Sequence, residues 1–241
     1  MGLTAAAIAL AATLAPSGDT AARPIRYESF KDGRVYFHAV VADMSKNKVT
    51  AEAYYSPALN NVWKLVGDRQ PAAAITGTFF AFENQQPIAD VVVDGHLVAT
   101  GNRGSAVGVD WYGKVHIFDT PFQQPIDWYT YRHLLRGAVR LIKDGKVAPD
   151  PKSQHFTDPR IWGRAPRTGV GLTEDQKLVL MASPNKLTLS EFGRAMQKLG
   201  VHDAVSFDGG GSTMLYYRGE LVVPPHRSLS NLFILHERPP Q

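Results

Sequence analysis

Cysteine is absent from the 241 residues of this chain. Its absence excludes disulfide bonds, thiolate metal sites, iron–sulfur clusters and cysteine nucleophiles together. A strong charge of either sign is also missing, because 26 Lys and Arg residues stand against 22 Asp and Glu residues, for a formal net charge of +4. The basic residues are scattered along the chain. The composition therefore predicts no nucleic-acid partner and is compatible with an anionic ligand.

Long apolar runs are missing as well. After residue 22 no segment approaches the roughly 18 uninterrupted apolar residues that a membrane-spanning helix needs. Residues 1–22 are rich in alanine; Leu3–Ala15 has the length of the apolar part of a signal peptide, and Thr20-Ala21-Ala22 resembles a cleavage site. No basic residue precedes Arg23. Two interpretations stay open: a signal peptide for export to the periplasm or the cell exterior, or an alanine-rich extension.

Several well-known catalytic sequence patterns do not occur. The glycine cluster at residues 209–211 is not followed by the Gly-Lys-Ser/Thr of a nucleotide-binding P-loop. Only one Asp-Gly-Gly turn exists, whereas an aspartic protease needs two equivalent turns, and there is no Gly-x-Ser-x-Gly nucleophile elbow. His, Asp and Glu show no zinc-ligand spacing. The sequence therefore predicts neither a metal nor another cofactor.

The 21 glycines and 16 prolines indicate many turns. β-branched and aromatic runs flank short turns, several of the Asp-Gly kind, in which glycine supplies the positive φ that tight hairpins require. Residues 23–241 show no domain boundary and are expected to form a single α+β domain built on a mixed, hairpin-rich β-sheet with a few helices. Five hairpins are predicted, around Asp94-Gly95, Trp111-Tyr112-Gly113, Asp144-Gly145, Glu174-Asp175 and Arg218-Gly219.

Helices are fewer. Thr188 and Glu191 have the spacing of a capping box, and an apolar face follows them up to Gly200, which predicts one clear helix. A second, weaker helix is predicted over Ile126–Leu135. The run Ala204–Phe207 has the character of a buried strand that delivers Asp208 to its carboxyl end, and residues 148–166 are expected to form a long surface loop.

The loop Asp208–Thr213 (DGGGST) carries the strongest signal. Three consecutive glycines lose much backbone entropy on folding, so they usually mark unusual φ and ψ angles or a ligand close to the main chain. Their amides can form a concave anion site, with two hydroxyls beside it and a carboxylate at its rim. The alternative is a mobile hairpin connection.

The segment Val205–Met214 also carries a family resemblance. It resembles the signature of the phosphodiester glycosidase family, which includes the catalytic domain of the lysosomal uncovering enzyme and bacterial relatives. The resemblance extends from Ala72 to His236. Four further segments resemble family motifs and follow the family's order: Ile75–Phe80, Arg167–Leu172, Leu187–Phe192 and Arg227–Asn231.

The resemblance implies a hydrolase that breaks the glycosidic bond of sugar-1-phosphodiesters in glycans, exopolysaccharide or wall polymers. The transition state is oxocarbenium-like and the leaving group is charged, so the site needs a carboxylate, an anion cradle and a guanidinium. The alternative is a non-catalytic glycan- or anion-binding module involved in polysaccharide production or tailoring. Either way, the expected partner is a carbohydrate phosphodiester.

The resemblance also assigns residue roles. Asp208 is the first choice for the catalytic carboxylate, either as general base or as a binder of sugar hydroxyls, although an Asp before Gly-Gly often only bonds its own turn. Arg167 is the favoured phosphate ligand because a guanidinium can bind two oxygens at once; alternatively it caps the loop 148–166. Glu83 is a second candidate carboxylate, or else a solvated loop residue. The remaining expected substrate-binding residues are Thr76, Gly77, Gly209, Gly210, Gly211, Ser212, Thr213, Arg227 and Asn231.

One departure from the family pattern concerns Thr76, which stands where the family commonly has Asn. Threonine keeps a hydroxyl but loses the amide, so substrate choice or activity is expected to differ. Asn231 has the alternative of bonding a turn backbone. His226 and His155 are candidate proton shuttles. Candidates for stacking on a sugar are Phe79, Phe80, Trp162 and Tyr216. For Phe79 and Phe80 the alternative is burial in the core.

Overall fold

The computed structural model describes residues 23–45, 48–81 and 83–238. Residues 1–22 lie outside this range, so the signal peptide and the alanine-rich extension both remain predictions. The structure is mostly β-strand, at 52%, with 13% helix. None of the helices in the described part of the chain is long and apolar enough to cross a membrane.

Sixteen strands and three α-helices lie in the described ranges. The helices are α1 (Val62–Arg69), α2 (Pro159–Trp162) and α3 (Leu189–Gln197). The strands are β1 (Ile25–Asp32), β2 (Val35–Asp43), β3 (Val49–Asn60), β4 (Ala73–Thr76), β5 (Val91–Val93), β6 (His96–Ala99), β7 (Ser105–Asp110), β8 (Val115–Asp119), β9 (Tyr131–Lys143), β10 (Lys146–Val147), β11 (Ala165–Thr173), β12 (Lys177–Leu187), β13 (Val201–Ser206), β14 (Leu215–Tyr217), β15 (Glu220–Val223) and β16 (Leu229–Glu237).

The strands form two sheets. The larger has eleven strands in the order β1-β2-β12-β11-β13-β9-β5-β6, with β10 and β7 also paired to β9, and β8 paired to β7. The smaller has the order β15-β14-β4-β16-β3. Every pairing between these strands is antiparallel, so the expectation of a mixed sheet is wrong. Parallel neighbours need long crossover connections, usually helical, and the described helices are short.

The two sheets face each other across the main core. That core takes Val40, Val170 and Leu180 from the large sheet and Ile75 and Phe233 from the small one. Helix α3 covers the outer face of the large sheet, and α1 covers the outer face of the small sheet. The result is four layers, in which each sheet buries both faces over much of its area.

Local sequence signals explain most of these elements. All five predicted hairpins are present, as β5–β6, β7–β8, β9–β10, β11–β12 and β14–β15. Helix α3 begins with the predicted capping box between Thr188 and Glu191. The predicted helix over Ile126–Leu135 is wrong: a 3-10 turn at Trp128–Thr130 leads directly into β9. Strand β9 is buried on both faces from His133 to Ile142, so its sequence lacks the polar–apolar alternation that marks a strand.

The glycine loop is the crossover between the two sheets. Strand β13 of the large sheet ends at Ser206, and β14 of the small sheet begins at Leu215. Two hydrogen bonds join Asp208 to both sides: its N–H donates to the Gly77 carbonyl at 3.0 Å, and its carbonyl accepts from the Thr168 hydroxyl at 2.7 Å. The loop is therefore held at the place where the ends of β4, β11 and β13 meet.

Candidate active site

Asp208 lies in this crossover and is 7% exposed. Its carboxylate accepts hydrogen bonds from the Ser212 hydroxyl and the Gly209 amide, and its Oδ2 lies 3.7 Å from Nη2 of Arg227. Burial disfavours the charged form more than these partners favour it, and it raises the pKa of Asp208 to about 6. The carboxyl group can therefore change protonation state near neutral pH.

Arg227 connects the carboxylate to the glycine loop. Its Nε donates to Ser212 Oγ at 2.6 Å, and its Nη2 donates to the Gly209 carbonyl at 3.3 Å. Its guanidinium also lies 5.4 Å from the centre of the Phe80 ring. The side chain remains 31% exposed, so a charged and partly open guanidinium faces solvent beside Asp208.

These groups border a pocket of about 460 Å³. Its charged lining comes from four arginines and three acids, and its apolar lining is mainly aromatic. The lining residues are Phe79, Phe80, Ala81, Glu83, Ile88, Arg103, Phe156, Thr157, Asp158, Arg160, Ile161, Ala165, Arg167, Asp208, Gly209, Gly210, Gly211 and Arg227. The structure therefore brings Asp208, the three glycines, Arg167, Arg227 and Glu83 to one pocket.

The glycines serve different needs. A Cβ on Gly209 would lie 2.5 Å from the Pro166 carbonyl oxygen, so the main chain there passes too close to β11 for a side chain. Gly210 has φ of +58°, and a Cβ there would have nothing within 4 Å. Gly209 is thus required by packing, whereas Gly210 exposes its main chain to the open pocket.

Arg167 lines the pocket but is 4% exposed. Its Nε donates to the Leu187 carbonyl at 3.0 Å, its Nη1 donates to the Ile161 carbonyl at 2.7 Å, and its Nη2 donates to the Gly163 carbonyl. Burial lowers the pKa of its guanidinium to about 10, which leaves it charged at neutral pH. This geometry matches the alternative in which Arg167 holds the loop before β11, and phosphate binding by Arg167 stays a prediction.

Thr76 is buried beneath the loop, outside the pocket lining. Its hydroxyl donates to the Ser212 carbonyl at 2.5 Å, so the group expected near the sugar supports the loop from below. Gly77 packs against Asn231: a Cβ on Gly77 would lie 2.1 Å from Asn231 Oδ1. Asn231 donates through Nδ2 to the Thr78 carbonyl at 3.2 Å. Its substrate-binding role stays a prediction, as does that of Thr76 and Gly77.

Ser212 and Thr213 are buried at the end of the loop. Ser212 is 0% exposed and links Arg227 to Asp208, so it positions both. Thr213 is 3% exposed, and its hydroxyl has no hydrogen-bond partner among the described residues. Neither residue is part of the pocket lining.

The remaining candidates are spread out. Glu83 is an exposed pocket residue, and Phe79 and Phe80 line the wall beside it. Tyr216 is 9% exposed within the apolar cluster under α1. Three others are also outside the pocket lining: Trp162 packs on the apolar cluster beneath α3, His155 stacks on Phe122, and His226 is exposed.

Sequence reasoning missed Arg103. This arginine lines the pocket from the segment before β7 and donates through Nη1 to the His155 carbonyl at 3.3 Å. Its buried Nε has no hydrogen-bond partner within the described ranges. No motif surrounds Arg103 in the sequence, because the residues that meet it come from segments far away along the chain.

One cluster has potential metal ligands. Asp144, His202 and Asp203 have ligand atoms within 4.8 Å of one another. The carboxylate of Asp203 already pairs with Arg140 and with His202 Nδ1, the latter at 2.9 Å. The cluster lies at the β9–β10 turn, and none of its members lines the pocket.

Comparison with known proteins decides the family. The model of the phosphodiester glycosidase family matches residues 69–236, which is more than half of the chain. The chain belongs to the phosphodiester glycosidase family. The resemblance predicted from the sequence motifs is therefore confirmed. No curated protein matches the chain in sequence.

Solved structures agree with this phosphodiester glycosidase fold. The catalytic domain of zebrafish N-acetylglucosamine-1-phosphodiester α-N-acetylglucosaminidase, auto-inhibited by its pro-peptide, has a TM-score of 0.75 at 18% identity; the match covers 93% of this chain and 87% of that one. A hypothetical protein from Synechocystis has a TM-score of 0.70 at 14% identity, over 89% and 62% of the two chains. A candidate exported protein from Burkholderia pseudomallei has a TM-score of 0.59 at 14% identity, and the match covers 84% of this chain and 74% of that one. At these identities the likeness shows the fold: the chain has the family and fold of a glycosidase.

Proposed function

We propose that this phosphodiester glycosidase homologue hydrolyses sugar-1-phosphodiesters at the anomeric C–O bond. The observation that carries the proposal is the buried carboxylate of Asp208 beside the partly open guanidinium of Arg227, in a pocket walled by Gly209–Gly211. Water adds to the anomeric carbon, the C–O bond breaks, and its electron pair leaves with the phosphate. The products are a free sugar and a phosphomonoester.

Asp208 acts as the general base. Its ionised form takes a proton from the attacking water, and a pKa of about 6 leaves that form dominant above neutral pH. The leaving phosphate is already anionic and needs no proton from the protein, so one well-placed carboxylate suffices for the step. Glu83 is the second carboxylate proposed for the pocket, at its solvent side.

The arginines of the pocket bind the phosphate. Arg227 presents a partly exposed guanidinium next to the open main chain of Gly210. Arg103 adds a cation whose Nε has no hydrogen-bond partner among the described residues, and the buried charge of Arg167 adds positive potential to the same wall. A guanidinium fork suits the oxygens of a phosphodiester.

We further propose that the substrate is a glycan, exopolysaccharide or wall polymer outside the cytoplasm. This places the protein in the periplasm or the extracellular space, with residues 1–22 as its signal peptide. The mildly basic charge of the chain is compatible with an anionic polymer.

The test uses synthetic α-glycosyl-1-phosphodiesters in water enriched in oxygen-18. Hydrolysis with no label in the phosphomonoester establishes C–O cleavage, whereas label in the phosphate shows attack at phosphorus and contradicts the proposal. Asp208→Asn must lose turnover, and Asp144→Asn is the control, because Asp144 is an exposed carboxylate outside the pocket.

A non-catalytic binding module is the second candidate, and Thr76 favours it. The hydroxyl of Thr76 is engaged by the Ser212 carbonyl, so the position contributes no free polar group to a sugar. Calorimetric binding of a sugar-1-phosphate, together with no turnover on any phosphodiester of the panel, would support this candidate over the enzyme.

A further inference from the structure

A group of exposed aromatic side chains lies away from the Asp208 pocket. Trp111 is 57% exposed, Tyr112 is 93% exposed and Tyr129 is 72% exposed. Trp128 stacks on Tyr129, with ring centres 3.7 Å apart. These four residues form what we call the aromatic surface. Large exposed aromatic patches on a protein usually mark a binding site.

The Trp111 ring of the aromatic surface is held in place. The indole Nε1 of Trp111 donates to the Tyr129 carbonyl at 2.8 Å, which joins the β7–β8 turn to the 3-10 turn before β9. The Trp111 ring also lies against Gly95, where a Cβ would come within 2.7 Å of it. A side chain at position 95 would displace the indole, so Gly95 leaves the space that this ring occupies.

Phe118 and Tyr131 pack on the same apolar cluster as Trp128. Tyr131 stacks on Phe118 at 5.2 Å between ring centres and meets His116 edge-on at 6.0 Å. Gly108 leaves room for Tyr131, because a Cβ there would lie 2.4 Å from the ring. Fixed rings lose little conformational entropy when a ligand stacks on them.

The charges around the aromatic surface favour a neutral ligand. Arg132 pairs with Asp94 at 2.8 Å, and His116 pairs with Asp110 at 2.9 Å. The other flanking charges, Lys114 and Asp127, have opposite signs. No basic excess is therefore available among these described residues to hold an anionic membrane or a nucleic acid. Tyrosine and tryptophan with polar groups at their edges suit a ligand with a flat apolar face and hydroxyls around it.

We propose that the aromatic surface binds the chain of a neutral pyranose glycan, at a site separate from the Asp208 pocket. Strand β7 connects the two: Arg103 lines the pocket just before its first residue, and Trp111 follows its last residue. Six residues of strand span about 20 Å. A polymer held by the rings would keep the protein close to further chains of the same material.

The proposal is tested in the Asp208→Asn protein, so that hydrolysis cannot alter the ligand. Native gels are cast with dextran, hydroxyethyl cellulose or glycol chitin, and retardation of the protein is measured in each. Retardation in at least one gel is expected, and Tyr112→Ala should raise its apparent Kd about threefold to tenfold. Tyr112 is almost fully exposed, so its removal does not disturb folding. Trp111→Ala is expected to act in the same direction.

A matched control variant distinguishes glycan binding at the aromatic surface from binding elsewhere on the protein. Tyr36→Ala removes a distant aromatic side chain that is 51% exposed, and it should leave retardation unchanged. No retardation in any of the three gels, or retardation that Tyr112→Ala and Trp111→Ala leave intact, overturns the proposal. So does binding to phosphatidylglycerol vesicles, or a dimer in ultracentrifugation, that Tyr112→Ala abolishes.

The outcome is independent of the proposed hydrolysis. With Asp208 intact, Tyr112→Ala should turn over a small sugar-1-phosphodiester at the unaltered rate, since the rings lie at the far end of β7. Loss of small-substrate turnover in Tyr112→Ala would contradict a separate glycan site. Failure of the hydrolase proposal would leave the gel result interpretable.

Discussion

The two walls of the pocket use arginine in opposite ways. On the wall of the glycine loop, Arg227 is 31% exposed and shares its donors among Ser212, Gly209 and the neighbourhood of Asp208. On the wall formed by residues 158–167, Arg167 is 4% exposed and is held by three main-chain carbonyls. One guanidinium stays partly open to solvent, and the other donates its hydrogen bonds to the main chain. A motif match alone cannot distinguish these two environments.

The largest effect is expected on the wall of the glycine loop, when Asp208 beside Arg227 is replaced by Asn. The amide keeps the shape of the side chain but cannot accept a proton, so kcat should fall by a factor of about 10²–10⁴. Steady-state kinetics on a sugar-1-phosphodiester measure the change, and circular dichroism checks the fold. A folded variant with near-parental turnover would remove Asp208 from the mechanism.

Arg167→Lys should destabilise the other wall of the pocket, formed by residues 158–167. A lysine ammonium cannot reach all three carbonyls from one buried position, so the free energy of unfolding should fall by about 2–4 kcal/mol. Urea denaturation measures the loss. If stability is unchanged and affinity for a sugar-1-phosphate falls while affinity for the free sugar does not, Arg167 is a phosphate ligand, as the motif suggested.

The pH dependence of stability separates the buried carboxylate from exposed ones. The pKa of Asp208 is about 6, above the value near 3.9 of an unfolded chain. The folded state holds this proton more tightly, so stability contributed by Asp208 falls as pH rises from about 4 to about 6. Asp208→Asn removes this penalty and should be more stable than the parent by about 2–3 kcal/mol at pH 8.

At pH 4 the two proteins should converge, which melting curves across the range can show. A constant difference at all pH values would contradict the assignment. Turnover should decline below about pH 6 as the base becomes protonated.

Arg227→Lys is expected to affect ligand affinity more than stability. A lysine keeps the charge but loses the fork, so affinity for a sugar-1-phosphate should fall roughly tenfold to a hundredfold. Calorimetry with the sugar-1-phosphate and the free sugar makes the comparison. Equal losses for both ligands would show that Arg227 does not act on the phosphate.

The smallest expected effect is that of Gly210→Ala. The added methyl meets no atom within 4 Å, but φ of +58° disfavours a side chain, so about 1 kcal/mol of stability should be lost. Gly209→Ala is the matched comparison and should cost more, because its methyl meets the Pro166 carbonyl. Thermal melts rank the two. The reverse order would mean that the glycine loop differs from the one described.

Local patterns explain what could be predicted from the sequence. The capping box of α3 and the Gly-containing hairpin turns depend on residues a few positions apart, and all were found. The buried strand before Asp208 was also predicted, because its apolar run is short and ends in the glycine loop. The helix over Ile126–Leu135 failed because burial on both faces of β9 hides the strand period.

The parts that could not be predicted depend on long-range contacts. Arg103 and Arg227 are 124 residues apart in sequence and share one pocket only because the strands bring them together. The carbonyls that accept from Arg167 belong to Ile161 in α2, Gly163 just after α2 and Leu187 in β12. Every residue has a main-chain carbonyl, so the sequence does not indicate which ones bind the arginine. The contact of Thr76 could not be predicted either, because its hydroxyl donates to the main-chain carbonyl of Ser212, 136 residues away in sequence.

Strand β16 has a consequence for the order in which the chain can fold. It lies between β4 and β3 in the small sheet, and it carries Asn231 against Gly77, whose carbonyl holds the amide of Asp208. A growing polypeptide that has not yet produced residues 229–237 lacks the strand that lies between β4 and β3 in that sheet. Gly77, and with it the amide of Asp208, therefore has its full set of partners only after residues 229–237 have left the ribosome.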